Sequence, residues 1–206
     1  MTNADKLSRM SIEEYLLFEE TATTKHEYLD GETFAMTGGT LAHNKISTNI
    51  LKTLFGQLES SGCNVYMSDV KVRIEANNSF YYPDVLVDCG SYQKERLFVE
   101  SPSIIFEVLS PSTAATDRRE KLVAYKRIPS LKAYVIVQQS RKLISVYLRS
   151  NAEDWTIQEM RSNDDFSVEL FFGRTVKLSV NEIYEGTDID DGAKLSIREE
   201  AEIYVW

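Results

Sequence analysis

Tyr81-Tyr82-Pro83-Asp84-Val85-Leu86-Val87 and Ile104-Ile105-Phe106-Glu107-Val108-Leu109 are the two stretches on which the reading of this chain turns. Each is an apolar run of strand character, rich in β-branched and aromatic residues, and each is interrupted by one acid. A carboxylate in a strand that reads as buried is costly unless a cation, a metal or hydrogen-bond donors compensate it. For either acid alone, an edge position or a structural ion pair explains the placement as well. Two such acids in successive runs point to a hard divalent cation, since Mg2+ is typically held by one or two carboxylates together with waters and phosphate oxygens.

The flanking sequence predicts the frame around these strands. Ser11-Ile12-Glu13-Glu14 has the form of a capping box and opens a short helix through Tyr15, Leu16, Leu17 and Phe18. Asp30-Gly31 supplies the positive φ angles of a tight turn between His26-Glu27-Tyr28-Leu29 and Glu32-Thr33-Phe34-Ala35-Met36, which predicts a β-hairpin. Ile46, Ile50, Leu54 and Leu58 recur at helical spacing up to Gly62. Strand-like runs follow at 65–74, 80–87, 104–109 and 131–137. Between the last two, a helix over 118–128 has Thr116 or Asp117 as its cap and Pro129 just past its end. The order is helix, three strands, helix, strand, and the natural architecture is an α/β fold with a mixed central sheet flanked by helices. Runs at 143–148 and 155–160 add strands, with Gln139-Ser140-Arg141 turning the first of them back. One domain is expected over 1–206, with a core at about 26–148, then C-terminal strands and an acidic tail over about 149–206.

Composition narrows the class. The chain has 206 residues, 43% hydrophobic and 27% charged, which is ordinary for a globular protein with one sizeable core. No signal-peptide core occupies the first ten residues, and no run approaches the roughly 20 apolar residues of a membrane helix, so a cytoplasmic protein is expected. Cys63 and Cys89 are far apart and lack CxxC spacing, which suggests neither a disulfide framework nor a zinc site; they read as two small buried apolar residues. A net charge of −9 counts against a protein that coats nucleic acid. The average hides one basic segment, 117–132, with six basic residues against two acids, whereas 181–206 carries eight acids against two basic residues.

Lys121 lies on the helix after Glu107, on one stripe with Tyr125 and Ile128, so it can turn inward or remain a surface lysine of an amphipathic helix. Turned inward beside a metal, it would offset charge developing on a phosphodiester under attack. Asp84 in Tyr-Pro-Asp-Val, Glu107-Val108-Leu109-Ser110-Pro111-Ser112-Thr113, and Asp117-Arg118-Arg119-Glu120-Lys121 with Tyr125 together form a recognisable order. In these motifs the chain resembles the large bacterial family described as "putative restriction endonuclease", a branch of the PD-(D/E)XK nuclease superfamily. The likeness runs from about His26 to about Leu148 and includes His26-Glu27-Tyr28-Leu29-Asp30-Gly31-Glu32 and Ala42-His43-Asn44.

The resemblance implies an αβββαβ restriction-endonuclease-like core, dependence on Mg2+ or Mn2+, DNA as substrate and often a homodimer. Asp84 and Glu107 would be metal ligands, the Val108 carbonyl a further ligand, and Lys121 the electrostatic or water-activating group. The usual signature places its lysine two residues after the second acid, where this chain has Leu109; Lys121 looks like a migrated lysine. Glu27 either supplies an acid from near the start of the core or lies on the hairpin surface. His43 shares the stripe of Ile46 and Ile50 and either meets a phosphate or ordered water, or is a hydrogen-bonded structural residue. Ser112, Thr113, Arg118 and Arg119 stand at a helix N-terminus that could contact phosphate or serve as cap and turn. Two other readings share these residues: a catalytically inactive nucleic-acid- or protein-binding member of the same fold, and a metal-dependent hydrolase of a small phosphate compound.

Overall fold

The computed structural model describes residues 9–110 and 116–192. Helix α1 (Ile12–Thr21) begins with the capping box: Ser11 Oγ accepts from the Glu14 amide, and Glu14 Oε2 accepts from the Ser11 amide. Strands β1 (His26–Leu29) and β2 (Glu32–Ala35) form the hairpin, with Asp30 and Gly31 at φ 45° and 93° as a turn of this type requires. Helix α2 (Leu41–Leu58) buries Ile46, Ile50, Leu54 and Leu58 along one stripe.

The runs at 65–74 and 80–87, read as single strands, are each two. The first divides into β3 (Asn64–Met67) and β4 (Lys71–Ile74), the second into β5 (Ser79–Tyr81) and β6 (Val85–Asp88). Pro83 has no N–H to give a ladder, and Ser68 sits at φ 23°, outside strand geometry. The two breaks lie side by side, joined by the Ser68 amide donating to the Asp84 carbonyl at 3.2 Å. At that seam the chain passes between two sheets. One has the order β2-β1-β5-β4-β7, where β7 is Phe98–Val99.

The other sheet is central. With β8 (Pro102–Leu109), β9 (Ala133–Gln138), β10 (Ile144–Arg149) and β11 (Trp155–Met160), its order is β11-β10-β9-β8-β6-β3. β8 and β9 are parallel, whereas the β6–β8, β3–β6, β9–β10 and β10–β11 pairs are antiparallel, so the sheet is mixed. The β8–β9 crossover contains a π-helical turn, Asp117–Lys121, followed by helix α3 (Leu122–Lys126). Read along α2, β3, β6, β8, α3 and β9, the chain is the αβββαβ core, with β4, β5 and β7 carried off into the second sheet.

Alternation along β8 sends Ile104, Phe106 and Val108 to one core and Ile105 and Leu109 to the other. The first core holds the α2 stripe. It is closed by a hairpin not anticipated from the sequence, β12 (Asp165–Glu169) with β13 (Thr175–Ser179), and by the short helix α4 (Val180–Ile183). The second core holds Ala124, Tyr125 and Ile128 of the crossover. Among the described residues no helix is long and apolar enough to cross a membrane.

Cys63 and Cys89 are disulfide-bonded, which corrects their reading as two separate apolar residues. The reason is register: β3 and β6 pair Asn64 with Asp88, so the next residues outward stand opposite each other although 26 positions separate them. Closing a loop of that length constrains the unfolded chain, and Cys63→Ser is expected to lower stability by about 3 kcal/mol. Urea midpoints with and without reductant check this; equal midpoints would refute it.

Candidate active site

The ladder between β6 and β8 pairs Val85 with Phe106 and goes no further, because Pro83 follows in the direction of Val108. The Val108 amide is therefore available, and it donates to Asp84 Oδ2 at 2.6 Å. The other oxygen, Oδ1, lies 2.9 Å from His43 Nε2 on α2. Asp84 is thus held from two elements at the end of β6, beside the strand that carries Glu107.

Glu107 faces the crossover. Its Oε1 accepts from Lys121 Nζ at 3.2 Å and from the Tyr125 hydroxyl at 3.0 Å. Lys121 turns inward, with Nζ also 2.8 Å from Glu27 Oε1 and 3.2 Å from Asp117 Oδ1. The Asp117 contact is an ion pair without hydrogen-bond alignment, so that buried oxygen has no donor. Glu27 turns in from β1 rather than lying on the hairpin surface, and its Oε1 also accepts from the Tyr82 amide at 3.3 Å.

One ammonium therefore serves three carboxylates, with Asp84 as a fourth acid nearby. Burial pushes the Glu107 carboxyl well above the usual range; Lys121 opposes this, while Asp117, Asp84 and Glu27 add to it. Burial disfavours the Lys121 ammonium, yet Glu107, Glu27 and Asp117 outweigh it and raise its pKa well above the ordinary value. Hydrogen bonding to Asp84 raises His43 against the opposing effect of burial. Burial and the neighbouring Glu107 raise the Tyr125 hydroxyl as well, keeping it a donor.

Exposure differs between the members of the cluster. The Glu107 and Lys121 side chains are 4% and 5% exposed, whereas those of Asp84 and His43 are 16% and 18% exposed. Glu27, at 15%, is about as exposed as Asp84, so among the described residues the cluster reaches solvent through Asp84, His43 and Glu27. Arg118 is half-buried and Arg119 exposed on the π-helical turn. Ser112 and Thr113 lie outside the described residues.

Three participants were not singled out from the sequence. Asp117 is in sequence one of two candidate helix caps, with Thr116, although its i, i+4 relation to Lys121 is a usable signal that both share a face. Thr40 and Gln139, which meet His43, carried no such signal because their proximity depends on a separation of 99 residues.

An αβββαβ core with acids on adjacent strands and a lysine from the crossover defines a protein of the restriction-endonuclease-like class. The Uma2 family model, described as "Putative restriction endonuclease", matches residues 12–181, and the chain belongs to that family. Two uncharacterized proteins of a Synechocystis strain are similar to it. One is 34% identical over 179 residues, covering 86% of this chain and 93% of that protein. The other is 30% identical over 162 residues, covering 77% and 91%. The fold is shared with a crystal structure titled as a putative nuclease belonging to DUF820 from Anabaena variabilis, at a TM-score of 0.66 and 13% identity, over 85% of this chain and 97% of that one.

Proposed function

We propose that this protein is an endonuclease that hydrolyses DNA phosphodiester bonds with Mg2+ or Mn2+. The observation that carries the reading is the shortage of positive charge at the site: Glu107, Glu27 and Asp117 share the single Lys121 ammonium, and one Asp117 oxygen has no donor. A divalent cation fits that deficit, with Asp84, Glu107 and the Val108 carbonyl as its ligands. Among the described residues no three or more His, Cys, Asp or Glu side chains are grouped so as to hold a metal ion, and this reading therefore rests on two carboxylates, within the one or two that Mg2+ takes from a protein. When bound, the cation supplies positive charge to the phosphoryl oxygens and acidifies a water.

The chain's own residues do the remainder. Lys121 holds a fixed ammonium where negative charge develops on the phosphate, and its burial strengthens that interaction. Tyr125 and Lys121 hold Glu107 by one oxygen. Val108 and His43 hold Asp84 by both. Glu27 helps fix Lys121, while Arg118 and Arg119, with Ser112 and Thr113 before them, are the phosphate contacts of this reading.

Relaxation of supercoiled plasmid with Mg2+ or Mn2+ tests the activity. Cleavage should appear with wild type and vanish with Asp84→Asn. DNA binding should weaken steeply as salt rises, since each phosphate contact releases counterions. A salt-insensitive site that turned over only small phosphate esters would replace DNA as the substrate, and binding without hydrolysis would favour the inactive, binding-only reading.

The assembly in this reading is a homodimer, because cutting two strands is served by two symmetric sites. Sedimentation should give twice the chain mass of 23.6 kDa at micromolar concentration. A mass near that of one chain would exclude it.

A further inference from the structure

Beside Asp84, the Thr40 hydroxyl, the Gln139 amide and His43 close a ring of hydrogen bonds, anchored on the Leu109 carbonyl. Thr40, the N-cap of α2, accepts from the His43 amide at 3.1 Å and donates its hydroxyl proton to Gln139 Oε1 at 2.6 Å. Gln139 follows β9. Its Nε2 donates to the Leu109 carbonyl at 2.6 Å and lies 3.4 Å from His43 Nδ1, a longer contact.

The Leu109 carbonyl oxygen can only accept, so the Gln139 atom beside it must be the amide nitrogen. An amide nitrogen can only donate, so in its 3.4 Å contact with the neutral ring His43 Nδ1 is the acceptor. In the neutral ring the proton is then on Nε2, from which it is donated to Asp84 Oδ1. Gly39 restricts the ring further: a Cβ there would stand 2.9 Å from His43 Cδ2, so backbone packs against the imidazole edge.

We propose that Gln139, locked by Thr40 and Leu109, is a positioning residue that holds His43 as its Nε2–H tautomer, and that this tautomer aims the Asp84 carboxylate for a divalent cation. The inference rests on the metal-dependent reading only in its second half. With the Val108 amide on Oδ2 and the His43 proton on Oδ1, both Asp84 oxygens are fixed and each keeps accepting capacity for a cation. The Nδ1–H tautomer would turn a bare nitrogen lone pair on Asp84 Oδ1, which repels the carboxylate and frees it to rotate. Metal sites commonly depend on such outer partners, whose loss costs about 10- to 100-fold in metal affinity or activity.

Ring-nitrogen NMR of the 15N-labelled full chain, above the titration of the histidines, reads the tautomer directly. The chain has two histidines, and they should differ. His26 Nδ1 lies 2.8 Å from Glu19 Oε1, a pure acceptor, so His26 should be Nδ1–H and His43 Nε2–H. Gln139→Leu removes the donor at similar size and should leave His43 a mixture of tautomers. Mn2+ affinity, measured with the metal alone, should fall about tenfold. In a His43→Ala background the same substitution should cost nothing more.

A wild-type His43 in the Nδ1–H form overturns the proposal without any variant. So does Gln139→Leu protein in which either the tautomer or the Mn2+ affinity is unchanged. If wild type binds no Mn2+ at all, the metal-dependent reading and the aiming of Asp84 both fall, while the tautomer spectrum still decides whether Gln139 clamps His43. If it binds Mn2+ but cuts no DNA, only the proposed activity falls.

Discussion

Lys121→Ala is expected to lower DNA cleavage about a thousandfold under saturating Mg2+, the scale for removing a preorganised charge from a transition state. It is also expected to cost about 3–5 kcal/mol of folding stability, because it strips the counter-charge from a buried ionic cluster. Both effects follow from one side chain. Lys121 Nζ lies within 3.2 Å of carboxylate oxygens of Glu27, Glu107 and Asp117, and the residue is almost without solvent contact. Removing it leaves those acids to repel one another in a low-dielectric setting.

The two losses separate experimentally. Circular dichroism against temperature gives the stability term, and cleavage measured where both proteins are folded gives the chemical one. Divalent ion should partly restore the stability of the variant, since a cation replaces the missing charge, but it should not restore the rate. Wild-type cleavage by folded Lys121→Ala protein would end the catalytic assignment. Lys126→Ala is the contrast: its ammonium lies over the rings of Tyr147 and Trp155, and the substitution should change little beyond DNA affinity.

What could be read from the sequence was what depends on local pattern. Ser11 and Glu14 foretold the α1 cap, Asp30-Gly31 the hairpin, and the four-residue spacing of Ile46, Ile50, Leu54 and Leu58 the inner face of α2. Interrupting acids in apolar runs brought Asp84 and Glu107 forward, since a buried charge needs a reason. The breaks at Ser68 and Pro83 were harder, because a strand that changes sheets keeps its apolar character on both sides of the change. Phe166, Val168, Val176 and Leu178 alternate with exposed residues across a turn at Gly173, so the β12–β13 hairpin does carry a period-2 signal in the sequence. The disulfide and the Thr40–Gln139 contact could not be read locally at all, because each depends on the register of a finished sheet.

Added Mg2+ or Mn2+ is expected to stabilise the wild-type protein by about 2.7 kcal/mol at a hundred times the dissociation constant, and Asp84→Asn should abolish that gain. The pH dependence gives the test a second axis. Burial raises the Glu107 carboxyl above its unfolded value, so between the two values the folded state binds a proton that the unfolded state has released. Stability from this group is full below the unfolded pKa of 4.5 and is lost as pH climbs through the raised folded value. The metal-free protein should accordingly lose stability over that interval. A divalent cation stabilises ionised Glu107, so binding should release a proton and flatten the decline. Calorimetry of Mn2+ binding in two buffers of different ionisation enthalpy measures the proton directly. Glu107→Gln carries no titrating group there, and it should bind the ion weakly without proton release. Proton release of equal size from wild type and Glu107→Gln would show that the raised carboxyl is not the group the metal meets.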